Sequence, residues 1–344
     1  MIVRQHVPRL GLILPAYNEE EVLKTTLTKL KIIRSEMIKA GKITDDSFIM
    51  FVDDGSKDRT WPLIREAQSR DQNILGVKLS RNFGHQSALL AGMTEANKLA
   101  DAVITLDADL QDSPNVISEM VDRYNEGYDI VYGVRSSRKK DTWFKRNTAM
   151  AFYKLAGFLG VEIIPNHADF RLMSKVSVDA LLALPERNVF LRAMVPLLGY
   201  PSTEVFYERG VRNGGKTKYP LKKMLSFAVD GITSFSVKPI RFLFDLGVLV
   251  VGIAGVQILY TLVQKMLGHA QAGWSSLMIS IWLLGGLNLV AIGVVGIYIG
   301  KIFTEVKQRP RFQIENVAGN KAPNIQKDVS IYDASTEGHS AVGN

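Results

Sequence analysis

The run Ala102-Val103-Ile104-Thr105-Leu106-Asp107-Ala108-Asp109-Leu110-Gln111-Asp112 decides how this chain is read. Its first five residues are apolar and β-prone, the composition of a buried strand. The strand then breaks into carboxylate and amide oxygens, and Pro114 closes the turn. In an open α/β sheet, ligands bind beyond the carboxyl ends of the strands. Two carboxylates spaced i, i+2 in such a turn converge on one hard cation. Mg²⁺ or Mn²⁺ prefers oxygen ligands and keeps positions open for substrate phosphates. Alone, Asp-x-Asp also reads as an acidic solvated turn, so the weight falls on the rest of the chain.

Outward from that run, the same grammar repeats. Leu10-Gly11-Leu12-Ile13-Leu14 reads as a strand that breaks at Pro15-Ala16-Tyr17-Asn18-Glu19-Glu20. A helix is expected from about Glu20 to Ala40. Ser47–Val52 reads as a strand ending in Asp53-Asp54-Gly55-Ser56, with Ser56 and Asp58 as N-caps for the helix that follows. Ile74–Leu79 is a third strand, ending in Ser80-Arg81-Asn82-Phe83-Gly84, and a helix runs from His85 to about Leu99. Strands alternating with helices predict a mostly parallel α/β sheet. Special residues at each strand end predict a nucleotide site along one sheet edge. Tyr17 is suited to stack on a base, and Asp53 or Asp54 to accept from a base N–H or ribose hydroxyls. Asp-Gly-Ser alone is equally a turn signal.

Composition bounds the reading. The chain has 344 residues, no cysteine and a formal charge of +8. Without cysteine there is no disulfide framework, thiolate chemistry or cysteine zinc site. The basic excess lies largely in the second half and suits anionic lipid or phosphorylated substrates. Two long apolar stretches favour these over nucleic acid. Met1–Arg9 is polar and basic, and Leu10–Leu14 is too short for a signal peptide, so the first domain is expected to stay cytoplasmic.

Taken together, Pro15–Glu20, Val52-Asp53-Asp54-Gly55-Ser56-Lys57-Asp58, Arg81-Asn82-Phe83-Gly84 and Leu106–Asp112 resemble the GT-A glycosyltransferases of family 2. More narrowly they resemble polyprenyl-phosphate glycosyltransferases. The runs Asp169-Phe170-Arg171-Leu172-Met173-Ser174 and Leu184–Phe190 look most like the bactoprenol glucosyltransferases. The resemblance covers residues 10–312. It implies a GT-A domain, Rossmann-like, that binds a nucleotide sugar through Pro15, Tyr17, Glu19, Asp53, Asp54, Arg81, Asp107 and Arg135. It implies that Asp107 and Asp109 serve diphosphate and metal, with Gln111 a further ligand, and that Asp169 sits near the acceptor as a catalytic or orienting group beside Asp107. It also implies direct displacement with inversion, and a homo-oligomer such as a tetramer. One departure is Ile297, where relatives usually carry Glu.

Arg135, Arg138, Lys139, Lys140, Lys145 and Arg146 follow the short strand at 129–133. Beside a diphosphate, guanidinium forks are natural phosphate partners. Residues 143–160 read as a helix, and His167 as a surface-loop histidine. A second basic run carries Arg212, Lys216 and Lys218 in a glycine-rich setting just before apolar sequence. With Arg138 these are candidates for an acceptor phosphate, and the run equally suits anionic headgroups. Residues 219–236 suit an interfacial amphipathic helix.

Phe242–Gln264 and Leu277–Ile299 are each long enough to cross a hydrocarbon core of roughly 30 Å. Cations flank both stretches on their outer sides, so the positive-inside bias predicts a hairpin with both ends cytoplasmic. The expected organisation is therefore a catalytic domain (1–215), juxtamembrane helices (216–240), a transmembrane hairpin (241–300) and a polar tail (301–344), in a bacterial inner membrane. The expected reaction moves a hexose from a UDP-sugar, UDP-glucose first, to undecaprenyl or another polyprenyl phosphate, for cell-envelope glycan modification such as that of O-antigen. UDP-4-formamido-arabinose and GDP-mannose are alternative donors. A processive synthase is disfavoured because the chain has no Arg-Trp pair. A non-catalytic membrane-anchored nucleotide-sugar-binding protein is disfavoured by the intact Asp107/Asp109/Gln111 cluster.

Overall fold

The computed structural model describes residues 3–136, 167–208, 236–267 and 273–319. Strands β1 (Leu10–Ala16), β2 (Phe48–Asp53), β3 (Ile74–Leu79) and β4 (Ala102–Thr105) alternate with helices α1 (Leu23–Lys39), α2 (Thr60–Arg70) and α3 (His85–Ala96). After α4 (Ile117–Asn125) come β5 (Ile130–Arg135), β6 (His167–Ser174), α5 (Lys175–Ala183), α6 (Leu191–Leu197) and β7 (Ser202–Tyr207). Two long helices, α7 (Lys238–Met266) and α8 (Trp274–Val306), precede β8 (Ile314–Ala318).

The eight strands form one sheet in the order β7-β5-β6-β4-β1-β2-β3-β8. β1 pairs in parallel with β2 and β4, β2 with β3, and β5 with β7. The expectation of a mostly parallel sheet needs one correction: β6 runs antiparallel between β4 and β5, and β8 antiparallel along β3. The sheet is therefore mixed. His167 belongs to β6, opposite Val134, and not to a surface loop.

Why these runs become central strands is visible in their burial. Every residue of β1 and β2 is buried, as expected where helices cover both faces of a sheet. Alternate residues feed opposite cores. Leu10, Leu12 and Leu14 of β1 join Ile49 and Phe51 of β2 against α1, α2 and α4. Ile13 joins Phe48, Met50 and Val52 against α3, α5 and α6. Full burial of each such side chain contributes about 1.5–3 kcal/mol. α3 comes close to the sheet at Gly92, where a Cβ would stand 2.5 Å from Ile13 Cγ2 and 2.7 Å from Val52 Cγ2.

Two helix starts differ from expectation. α1 begins at Leu23, and the Glu20 carboxylate ahead of it accepts from the Arg59 amide at 3.0 Å. α2 begins after Arg59, which gives no side-chain cap of its own. Ser56 is used elsewhere, its hydroxyl accepting from the Asn18 amide, while Asp58 accepts from the Glu20 amide and, as a group capping the helix start, from the amide of Thr60, the first residue of α2.

The expected helices at 143–160 and 219–236 lie outside the described residues, save Ser236. Among the described residues one segment, Leu283–Val306 of α8, is long and apolar enough to cross a membrane, with mean hydropathy 2.0 and no part of it buried. The expected hairpin at 242–264 and 277–299 asks for two such spans; among these residues one segment, Leu283–Val306, is shown. Lys301 and Glu305 fall inside it. α8 continues to Val306, and β8 returns to the sheet, where Lys78 pairs with Glu315 at 2.8 Å.

Candidate active site

Parallel pairing brings the carboxyl ends of β1, β2, β3 and β4 to one edge. Backbone and side-chain bonds lace the loops there. The Asn18 Oδ1 accepts from the Lys57 amide at 2.9 Å, and Thr60 Oγ1 from the Glu19 amide at 2.9 Å. Tyr17 stands on this edge, 43 % exposed. Pro15 is buried within β1 opposite Val52 and shapes the edge from inside the sheet. Arg81 is exposed and folds back over its own loop, with its guanidinium 3.9 Å from the Phe83 ring centre.

The adjacent aspartates at the end of β2, Asp53 its last residue and Asp54 the first of the loop, have different jobs. Asp54 accepts from the amides of Phe83 and Gly84 at 2.7 and 2.9 Å, so both its oxygens are committed to the β3–α3 loop. Asp53 accepts from the Ser56 amide through Oδ1, at 3.1 Å, while its Oδ2 is buried with no partner. Burial raises the pKa of Asp53, with the Ser56 hydrogen bonds opposing. A buried acceptor without a donor is what a ligand N–H or hydroxyl satisfies. Gly55 fits tightly between these loops. It has φ +71°, and a Cβ there would meet the Arg81 carbonyl carbon at 2.5 Å.

The Asp107 turn is built by the next strand. Thr26 donates to the Ala108 carbonyl at 2.6 Å, and Leu110 takes φ 47°, a conformation uncommon outside glycine. Asp109 accepts from the Gln111 amide at 3.2 Å and from Gln111 Nε2 at 2.6 Å. Gln111 thus orients this carboxylate. Asp112 is buried and takes the Arg135 guanidinium through three contacts of 2.9–3.3 Å. Arg135, a donor candidate from the sequence, is therefore ion-paired inside the protein.

Antiparallel pairing sets Thr105 opposite Arg171, which brings Asp169 to the level of Asp107. Between the two carboxylates stands His85, the first residue of α3. Its Nε2 lies 3.6 Å from Asp107 Oδ1 and 3.5 Å from Asp169 Oδ2. Asp169, 6 % exposed, also takes Arg171 at 2.6 Å, Gln86 at 3.1 Å and Arg192 at 3.4 Å. Burial alone would raise its pKa; the His85 hydrogen bond and the Arg192 and Arg171 charges outweigh that and hold it well below the carboxylate range. Asp169 is thus a fixed anion. Asp107 faces the opposite way in energy: burial, with the charges of Asp169, Asp112 and Asp109, pushes it up to about 6 against the pull of His85.

Sequence reasoning assigned no role to His85, Gln86, Arg171 or Arg192. His85 had a signal, since it follows a strand-end loop whose other residues were singled out. Arg138, Arg212, Lys216 and Lys218 lie outside the described residues. Among those described, no three His, Cys, Asp or Glu side chains cluster as a metal cage. The Asp107 and Asp109 carboxylates, close enough for one to act on the other, are oxygen donors of the kind Mg²⁺ or Mn²⁺ takes, since one or two carboxylates hold such a cation with substrate phosphates and water completing the shell.

Known proteins fit this edge. The model of Glycosyl transferase family 2 matches residues 12–182. "Uncharacterized glycosyltransferase YkoT" of Bacillus subtilis (strain 168) is 53 % identical over 91 % of this chain and 93 % of its own length. "Prophage bactoprenol glucosyl transferase homolog" of Escherichia coli (strain K12) is 36 % identical, over 90 % of this chain and 99 % of its own. "Bactoprenol glucosyl transferase" of Shigella phage SfV is also 36 % identical, over 90 % and 98 %. Among solved structures, mannosyltransferase PcManGT of Pyrobaculum calidifontis is 14 % identical with TM-score 0.42, over 90 % of this chain and 89 % of that one, too distant to bear on the chemistry. With near-full-length relatives and a family match across the strand edge just described, the chain belongs to the family 2 glycosyltransferases.

Proposed function

We propose that the protein transfers glucose from UDP-glucose to a polyprenyl phosphate, with inversion, at the cytoplasmic face of a bacterial membrane. The observation that carries this reading is the 36 % identity, over nine-tenths of the chain, to proteins named bactoprenol glucosyl transferases. The orphaned Asp53 Oδ2 suits a base N–H of the donor, with Tyr17 as the stacking surface. Asp107 and Asp109 are the residues to hold Mg²⁺ or Mn²⁺, with Gln111 beside them. When bound, the cation offsets charge on the departing diphosphate.

The acceptor phosphate has a second pKa near 6, so it is largely dianionic at neutral pH and needs little help from a base. That agrees with an Asp169 held as an anion, whose part is to fix His85 and Arg192 at the reacting face. The cations to gather the acceptor are Arg138, Arg212, Lys216 and Lys218. Their segments follow β5 and β7, which pair in parallel and end side by side at Arg135 and Tyr207 on this same edge. α7 and α8 serve as the membrane hairpin in this reading, with exposed apolar side chains such as Phe244, Val256, Leu283 and Leu289 toward lipid. A homo-oligomer, such as a tetramer, would pack these helices.

The test is transfer by the purified protein in undecaprenyl phosphate-containing detergent, with a panel of radiolabelled nucleotide sugars. Label enters the organic phase with UDP-glucose and depends on the lipid phosphate. Transfer from UDP-4-formamido-arabinose or GDP-mannose instead overturns the donor, and no transfer from any donor overturns the reading.

A further inference from the structure

The end of the apolar helix α8 is bound to the catalytic domain through one carboxylate. Glu305, the residue before the last of α8, accepts from two consecutive main-chain amides. Arg187 N lies 2.7 Å from Oε2 and Asn188 N lies 2.8 Å from Oε1. Farther on, the Arg311 guanidinium donates to the Leu184 carbonyl. Three backbone groups of the loop between α5 and α6 are thus taken by the last turn of the membrane-candidate helix and the segment that follows it. β8 then pairs along β3, so this segment is anchored beyond the contact as well.

The loop so held leads straight to the reaction site. Leu191 follows three residues after Asn188. Its amide donates to Gln86 Oε1 at 3.0 Å, and its carbonyl accepts from Arg171 at 3.1 Å. Gln86 and Arg171 in turn both donate to Asp169, as does Arg192. Among the described residues, every donor to the Asp169 carboxylate other than His85 therefore touches Leu191 or is its neighbour. A carboxylate binding two adjacent amides fixes the direction of a peptide, not merely its position. A shift of the loop would therefore reach the Asp169 carboxylate through Leu191 and Arg192.

We propose that Glu305 is a positioning residue: by holding the Arg187 and Asn188 amides it sets the loop that aligns Asp169, and so couples the seating of α8 to transfer. The inference rests on the reading of the Asp169 face as the transfer site.

The test uses the full chain in detergent, with Glu305→Gln and Glu305→Ala, and Glu315→Gln as a control in the same terminal segment. Glutamine keeps one acceptor oxygen and turns a donor toward the other amide. Expected are a kcat lower by about ten-fold in Glu305→Gln and more in Glu305→Ala, as a small misplacement of reacting groups produces. The KM for the donor should stay within about two-fold, because its site lies on other strand ends, and Glu315→Gln should match wild type. Amide hydrogen exchange should rise in peptides covering 184–192 and also 167–171. Unchanged kcat with a lowered thermal midpoint would reduce Glu305 to a structural clamp and overturn the proposal. Faster exchange at 184–192 with none at 167–171 overturns it equally. If wild type transfers no sugar from any donor, the functional reading fails, and the exchange pattern alone decides whether Glu305 governs Asp169.

Discussion

Replacing Asp169 with asparagine separates a strut from a base. Asp169 and Arg171 are 6 % and 2 % exposed, and their contact is 2.6 Å. Asparagine keeps the shape and one acceptor oxygen but leaves the Arg171 guanidinium buried without its counter-charge. Breaking a buried pair from one side costs about 3–5 kcal/mol. For a domain of this size about 2–4 °C follows each kcal/mol, so the thermal midpoint should fall by about 6–20 °C. The sign with pH follows from the depressed folded pKa of Asp169. Its contribution is fully present above the unfolded value of about 3.9 and is lost only as pH falls toward the folded value. The wild-type advantage over Asp169→Asn should therefore be undiminished at about pH 5 and shrink in stronger acid; toward pH 8 it should also fall as His85 loses its proton, because against the effect of burial its hydrogen bond to Asp169 raises the His85 pKa above its ordinary value. Thermal unfolding followed by tryptophan fluorescence, in one detergent across that range, measures it. A midpoint within about 2 °C of wild type, with donor binding intact and transfer abolished, would show that Asp169 acts on substrate and that the strut argument is wrong.

Three further outcomes follow from the same geometry. Asp53→Ala should weaken UDP binding by about ten-fold or more, the loss of one hydrogen bond to a charged group, with a smaller effect on stability than Asp54→Ala; calorimetry and thermal unfolding separate the two. Gly55→Ala should lower both stability and donor affinity, since its Cβ would meet the Arg81 and Asn82 backbone at 2.5–2.8 Å in a backbone conformation with φ +71°; unchanged UDP affinity would mean the loop gives way freely. Asp109→Asn should abolish transfer while the protein stays folded, and EDTA should mimic it in the wild type until Mg²⁺ or Mn²⁺ is restored; full activity of the variant in EDTA would remove the cation from the reaction.

The sequence by itself determined where the sheet lies and which edge carries the site. β1, β2, β3 and β4 were legible because buried strands in such a sheet are continuous apolar runs, and each breaks abruptly into Asp, Asn, Gly or Pro. β6 was not legible as a strand: its residues were singled out only by resemblance, because His167-Ala168-Asp169-Phe170-Arg171 mixes charges with apolar residues. Those charges become tolerable in the interior only when Asp169 meets Arg171, Gln86 and Arg192, groups drawn from three elements. β8 was hidden for a related reason: five residues after a long helix have no strand period of their own, and pairing with β3 supplies what local pattern does not. Tertiary structure alone also divided the work of Asp53 and Asp54. Neighbours in sequence, on a strand, point to opposite faces. One face offered two backbone amides that consumed Asp54, and the other left Asp53 an oxygen without a donor. The composition of a strand end tells which atoms are available; only the packing of distant loops against it decides which of them remain for a ligand.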